Sequence, residues 1–266
     1  MRPHQTEVME LMAPVDGGEV WAEDTGGHGL PLVLLHPGVG DSAFWDPILP
    51  RLTQRHRVIR YDARGYGRSP KPTTAFSLAG DLTAVLDHFA LDRAVLAGSS
   101  MGGSAALNVA LDSPARIAGL ALVGPGVTGY EGLVSPDLMA RIEVLAKAGD
   151  MDGLIAFSLR TWGALGKDGD PQAVAQLRSA IPAWFSNFPL LTRDAPAFDR
   201  LGELRVPCVL ALGEHDQPEV VRCNEEMAER IPGCRLVRLT ESDHYAPLRE
   251  PEKVADLIME LCAGLT

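Results

Sequence analysis

Positive charge is scarce in this sequence. Across 266 residues, 24 Lys and Arg face 35 Asp and Glu, a formal net charge of −11. A phosphate-binding surface needs clustered cations to displace counterions, so a nucleic-acid partner is excluded. The same deficit argues against docking on an anionic membrane. Long apolar runs are missing too. The best candidate, 117–127, is broken by Gly119, Gly124, Pro125 and Gly126, and it falls well short of the roughly 20 residues a span needs. The opening MRPHQTEVMELMAP has no apolar stretch of signal-peptide length, so a cytoplasmic protein is expected. Cysteine is sparse: Cys208, Cys223, Cys234 and Cys262 form no C-x-x-C or Cys/His pattern. Neither a zinc site nor a disulfide framework is indicated, and free thiols are expected. Hydrophobic residues, at 46%, are ample for a core, which excludes wholesale disorder.

What is present is an alternation. Residues 6–12 and 19–23 read as two strands of a hairpin around Asp16-Gly17-Gly18. Apolar runs at 31–35, 94–97 and 117–123, and the run 58–61 with its single charge at Arg60, read as strands buried on both faces. Residues 78–89 have apolar side chains at three- and four-residue spacing, which predicts a helix. Residues 100–111, rich in Gly and Ala, predict a second helix suited to close packing. Such alternation implies a parallel sheet flanked by helices. It stops over 128–200, which reads as helices and loops and holds Phe157, Trp162, Trp184, Phe185 and Phe188. It resumes with a strand at 206–212, a helix at 219–230, a strand at 235–239 and a closing helix at 251–261. The expected organisation is a core domain of 1–127 and 201–266, interrupted by a helical cap of 128–200.

The chemistry centres on Gly98-Ser99-Ser100-Met101-Gly102-Gly103. This is G-x-S-x-G around Ser100, placed between a buried strand and a helix, the context that gives the pattern meaning. The glycines allow a tight, strained turn that pushes strand and helix together. Ser100 then stands at a helix N-terminus, where free amides favour developing negative charge. Ser99 is the competing serine, one residue off the centre. A bland alternative is that Ser100 merely caps the helix.

Serine needs a base, and the base needs an orienting acid. Ligands gather at the carboxyl ends of parallel strands. His244, in Glu241-Ser242-Asp243-His244-Tyr245, follows the last strand and is the expected base; His215 could compete. His4, His28, His56 and His88 read as solvated or packing residues. The strand at 206–212 runs into Gly213-Glu214-His215-Asp216, which makes Asp216 the expected acid, with Glu214 the local alternative. The order Ser, Asp, His is the one associated with G-x-S-x-G enzymes. Two backbone amides must hold an oxyanion. Met101 supplies one. The loop His36-Pro37-Gly38-Val39-Gly40 supplies the other at Gly38, because Pro37 has no N–H. His36 reads as a brace. Activity should fall as His244 protonates, near or below about 6.5 if its pKa is unshifted.

These motifs resemble the α/β-hydrolase family, over nearly the whole chain outside the insertion. LVLLHPGVGDSAFW is similar to its oxyanion strand and loop, with Pro37 where a glycine is usual. VIRYDARGYGRS is similar to its next strand and turn, in which Asp62 and Arg64 brace the loop. AGSSMGG, GEHDQP and SDHYAPLREPEKV complete the pattern. Within the family the chain looks most like the capped esterases and enol-lactonases. The resemblance implies an α/β fold with a mostly parallel sheet and a helical cap. It also implies hydrolysis of a small-molecule ester or lactone through an acyl-enzyme, with no metal or organic cofactor. Ser100 in place of an elbow aspartate disfavours dehalogenase and epoxide-hydrolase chemistry. Carbon–carbon bond hydrolysis, perhydrolysis, and a slow-turnover binding or signalling role remain alternatives on the same triad.

Overall fold

The computed structural model describes residues 8–265. Strands β1 (Met9–Val15), β2 (Gly18–Asp24), β3 (Leu32–Leu35), β4 (Val58–Tyr61), β5 (Ala94–Ser99), β6 (Ile117–Val123), β7 (Cys208–Gly213) and β8 (Arg235–Leu239) form one sheet. Their order across it is β1-β2-β4-β3-β5-β6-β7-β8. β1 and β2 pair antiparallel with their neighbours; every pairing from β4 to β8 is parallel.

The strand order reverses at β3. The chain runs from β3 outward to β4, then crosses back to β5 on the other side of β3. The loops leaving β3 and β5 therefore diverge, and a crevice opens at their carboxyl ends. The register sets Leu35 beside Gly98, and Ser99 beside Val123, so the ends of β3, β5 and β6 lie level there.

The helices are α1 (Leu49–Leu52), α2 (Leu78–His88), α3 (Met101–Asp112), α4 (Pro136–Lys147), α5 (Met151–Trp162), α6 (Pro171–Asn187), α7 (Pro218–Arg230), α8 (Ala246–Arg249) and α9 (Pro251–Ala263). Alternate side chains of the buried strands serve opposite faces. Val33, Leu35, Leu96, Leu120, Leu122, Leu210 and Leu212 pack with α2, α3 and α7. Leu32, Leu34, Val95, Ala97, Ala121, Val209 and Ala211 pack with α1 and α9, and that cluster continues into α4, α5 and α6. Among the described residues no helix is long and apolar enough to cross a membrane. All four cysteines are free, with the Sγ atoms of Cys208 and Cys234 3.8 Å apart.

Two expectations need adjustment. The first strand is Met9–Val15 rather than 6–12, of which Thr6 and Glu7 lie outside the described residues. The hairpin turns on Asp16-Gly17, with Gly17 at φ +68°, so pairing runs on through Val15 to Gly18. Pro14 is tolerated because β1 is an edge strand. The helix expected from Ser100 begins at Met101, because Ser100 itself is not helical.

The turn after β4 is braced by buried charge. Arg64 Nε and Nη2 donate to Asp81 at 2.8 and 2.6 Å, and the guanidinium sits 4.9 Å over the Phe76 ring. Asp62 accepts from the backbone N–H of Ser42 and of Arg68, both at 2.8 Å. Removing one partner of such a buried pair leaves an uncompensated charge. Asp81→Ala should therefore cost about 3–5 kcal/mol, read from the urea midpoint of the purified variant. A loss below about 0.5 kcal/mol, the range of an ordinary surface substitution, would contradict this assignment.

Candidate active site

Ser100 sits between β5 and α3 with φ 47° and ψ −111°. Such a backbone costs on the order of 1–3 kcal/mol and persists only where its surroundings over-determine it. They do. A Cβ on Gly98 would lie 2.6 Å from the Gly102 carbonyl oxygen, and one on Gly102 would lie 2.4 Å from that of Leu35. The Ser100 N–H donates to the Val123 carbonyl at 3.2 Å, and its own carbonyl accepts from Gly126 at 2.9 Å and Ser104 at 3.0 Å. The helix-cap alternative fails, since the Ser100 side chain makes no capping bond to α3. Ser99 is fully buried, and its hydroxyl has no partner among the described residues. Ser100, not Ser99, lines the cavity above the sheet.

His244 also lines that cavity. Its Nδ1 bonds Asp216 Oδ2 at 2.7 Å, with both side chains almost completely buried. Asp216 Oδ1 accepts from the Gln217 N–H at 2.7 Å, which fixes the carboxylate plane. Gly124 lies under the pair: with φ +49°, its added Cβ would sit 3.4 Å from Asp216 Oδ2 and 3.6 Å from His244 Nδ1. With Nδ1 engaged, Nε2 is the nitrogen left for chemistry. Among the described residues no hydrogen bond joins it to Ser100 Oγ; such contacts are often loose before substrate arrives. Burial works to lower the His244 pKa. The Asp216 charge, the hydrogen bond to it and the Asp243 charge together outweigh burial, and the pKa lies above 6.5. Glu214 and His215 are exposed and do not line the cavity.

Gly38 and Met101 face the same space. Among the described residues neither backbone N–H donates to another protein group. His36 braces the loop, with Nδ1 against the Pro37 carbonyl at 2.8 Å and Nε2 accepting from the Ala63 N–H at 2.9 Å. Trp184 Nε1 donates to the Gly38 carbonyl at 2.6 Å, and Gln176 and Ser179 hold Asp41. The glycine loop is thus anchored to α6.

Sequence reasoning missed the ties between the helical segment and the histidine loop. The His244 N–H donates to the Trp162 carbonyl at 3.1 Å, at the end of α5. Asp243 accepts from the Leu165 N–H at 3.0 Å and from Arg249, which also pairs with Asp170. A second acid directly before the histidine was the one available signal. Of the aromatics singled out in 128–200, Trp162 and Trp184 line the cavity and Phe157 packs against the core, while Phe185 and Phe188 stay exposed.

The cavity measures about 390 Å³, within the usual range for small-molecule sites. Its lining contains no Asp, Glu, Lys or Arg. Among the described residues no group of three or more His, Cys, Asp or Glu could hold a metal ion. The arrangement offers a hydroxyl, an imidazole oriented by a carboxylate, and two free amides around an apolar chamber.

The chain is similar to a protein provisionally named carbamate hydrolase RutD, from Azorhizobium caulinodans: 29% identical over 256 residues, covering 90% of this chain and 93% of that one. It is similar to 3-oxoadipate enol-lactonase 1 of Acinetobacter baylyi, 25% identical over 231 residues, covering 84% and 85%. The solved structure of Est816, titled an N-acyl homoserine lactone degrading enzyme, superposes with a TM-score of 0.80 at 27% identity, covering 94% of this chain and 99% of that one. The family model described as the alpha/beta hydrolase family matches residues 32–257. The chain belongs to the α/β-hydrolase family.

Proposed function

We propose that the protein is a serine hydrolase of small-molecule esters or lactones, acting through an acyl-enzyme on Ser100. The observation that carries the reading is the buried His244–Asp216 bond opening onto the cavity that holds the strained Ser100. The names of its relatives and structural neighbours, among them a lactonase and an N-acyl homoserine lactone degrading enzyme, support the same bond class.

In the first step Ser100 Oγ attacks the carbonyl carbon and His244 Nε2 takes its proton. Asp216 holds the imidazole by Nδ1 and stabilises the cation that forms. Negative charge gathers on the former carbonyl oxygen, where the Gly38 and Met101 N–H groups receive it. Each such donor is typically worth about 10²–10³ in rate. Collapse of the tetrahedral intermediate releases the alcohol, which takes the proton from His244. In a lactone the alcohol stays tethered to the acyl part. Water then attacks the acyl-enzyme with His244 as base, and Ser100 is regenerated. Residues 128–200 serve as a cap over the strand ends, limiting water and substrate size. The free thiols suit a reducing compartment, and the reading takes the protein as cytoplasmic.

Ser100→Ala should reduce turnover of p-nitrophenyl butyrate by about 10⁴-fold or more. Equal rates in the two proteins would eliminate Ser100 as nucleophile, and wild-type release that stops after one equivalent would favour a binding role.

The pH dependence has a defined sign. The base must be neutral, and its pKa is raised above 6.5, so the expectation of a fall at or below that value moves upward. kcat/KM should drop as pH falls through a midpoint above 6.5. Asp216→Asn removes the charge and leaves burial to dominate. The midpoint should then fall below 6.5, with kcat reduced by about 10⁴. An unmoved midpoint would contradict the role of Asp216.

A further inference from the structure

The catalytic chamber does not end at the tryptophans. A second, larger depression of about 730 Å³ lies between α4 and α6 and shares Val134, Trp162 and Trp184 with the first. Trp162 and Trp184 meet edge to face, with ring centroids 6.0 Å apart, at the boundary between the two. Beyond them the walls are Leu138, Ile142 and Ala146 from α4, and Phe185 and Phe188 from the end of α6. The surface is open and apolar: Phe188 is 79% exposed, Val134 52% and Met139 47%. Only Glu143 and Lys147 carry charge, and they neutralise each other as an i,i+4 pair on exposed side chains. Exposed apolar surface of this extent calls for an occupant.

We propose that this groove holds the acyl chain of the substrate, and that the enzyme is selective for uncharged esters or lactones of extended, medium to long acyl chains. The inference rests on the hydrolase reading above and names its substrate class. Continuity identifies the occupant, because the groove begins at the inner wall of the chamber that holds Ser100. The side of approach identifies the acyl part. Trp184 lies between the two spaces and bonds the carbonyl of Gly38, the loop residue whose N–H faces the oxyanion. With the carbonyl oxygen at the Gly38 amide, the leaving alkoxy oxygen must face His244 Nε2 to receive its proton, so the arm that passes Trp184 on the glycine-loop side is assigned to the acyl chain. That arm stays in the site through both chemical steps, while the alcohol departs. Charge completes the argument, since neither lining offers a fixed cation to hold a carboxylate-bearing chain: the chamber has none and Lys147 is already paired.

Burial of each methylene should raise kcat/KM by about two- to four-fold. The test uses p-nitrophenyl esters from acetate to decanoate, and in parallel alkyl acetates of the same lengths. In the wild type, kcat/KM should climb about 250-fold or more from acetate to decanoate along the acyl series and stay nearly level along the alkyl acetates. Ala146→Trp, which fills the groove, and Phe188→Asp, which charges it, should leave acetate hydrolysis within about two-fold and remove most of the climb. Acetate hydrolysis with a flat or falling acyl series overturns the proposal, as does a climb confined to the alkyl acetates or one both variants retain. Absent or Ser100-independent hydrolysis of every ester in the panel would instead overturn the hydrolase reading. The groove is then judged by binding alone. Methyl decanoate should change the tryptophan fluorescence of the Ser100→Ala protein, with affinity lowered at least ten-fold when Phe188→Asp is added. No saturable change, or one insensitive to Phe188→Asp, overturns the groove assignment.

Discussion

The close approach of β5 and α3 to β3 and β6 is the constraint from which the site arises. It is close enough that a single methyl group at Gly98 or Gly102 would sit inside a backbone carbonyl. Only under that crowding is the positive φ of Ser100 held, and the hydrogen bonds to Val123 and Gly126 lock it to the neighbouring strand end. The strain is compensated by burial spread over two faces of the sheet, so a cost of a few kcal/mol at one residue leaves the fold intact. The gain is position: a hydroxyl raised clear of the sheet, with an unused amide on the very next residue.

The histidine side is built differently. His244 stands on a loop, and loops hold geometry poorly unless tied down. Asp216 ties it from β7, Gly124 leaves room beneath, and the end of α5 binds its backbone. Asp243 and Arg249 extend the link to Leu165 and Asp170. Opposite them, Trp184 and Gln176 of α6 fasten the glycine loop. The helical segment therefore grips both the His244 loop and the Gly38 loop, and under the proposed mechanism its placement is coupled to catalytic geometry as well as to substrate access.

Much of the sheet was legible because β3, β5, β6 and β7 are buried on both faces and read as short apolar runs; the bounds of β4, β6 and β8 match residue for residue, although Arg60 interrupts β4 and β8 is a partly exposed edge strand. The hairpin at the start was misplaced because Pro14 is permitted on an edge strand, where periodicity carries little information. Ser100 was located by its glycines, but the helix was begun one residue early, since a positive φ on serine leaves no trace in hydrophobic pattern. The pairing of Asp216 with His244 was legible because each lies just past the carboxyl end of a strand, where a parallel sheet brings side chains together. The upward shift of the His244 pKa was not legible, because it depends on a balance of burial against two carboxylates distant in the chain or turned toward it by the fold. Nor was the groove between α4 and α6. Its aromatics were visible as residues, yet whether a tryptophan packs a core or walls a chamber is settled only by how the helices cross.

The central claim is that one serine among those near the strand ends is activated by one histidine. The most direct measurement is labelling with an alkyl fluorophosphonate, followed by peptide mapping of the adduct by mass spectrometry. The account predicts a single adduct on Ser100, formed far more slowly when His244 is replaced by Ala. An adduct on another residue, or labelling of Ser100 at an unchanged rate without His244, would contradict it.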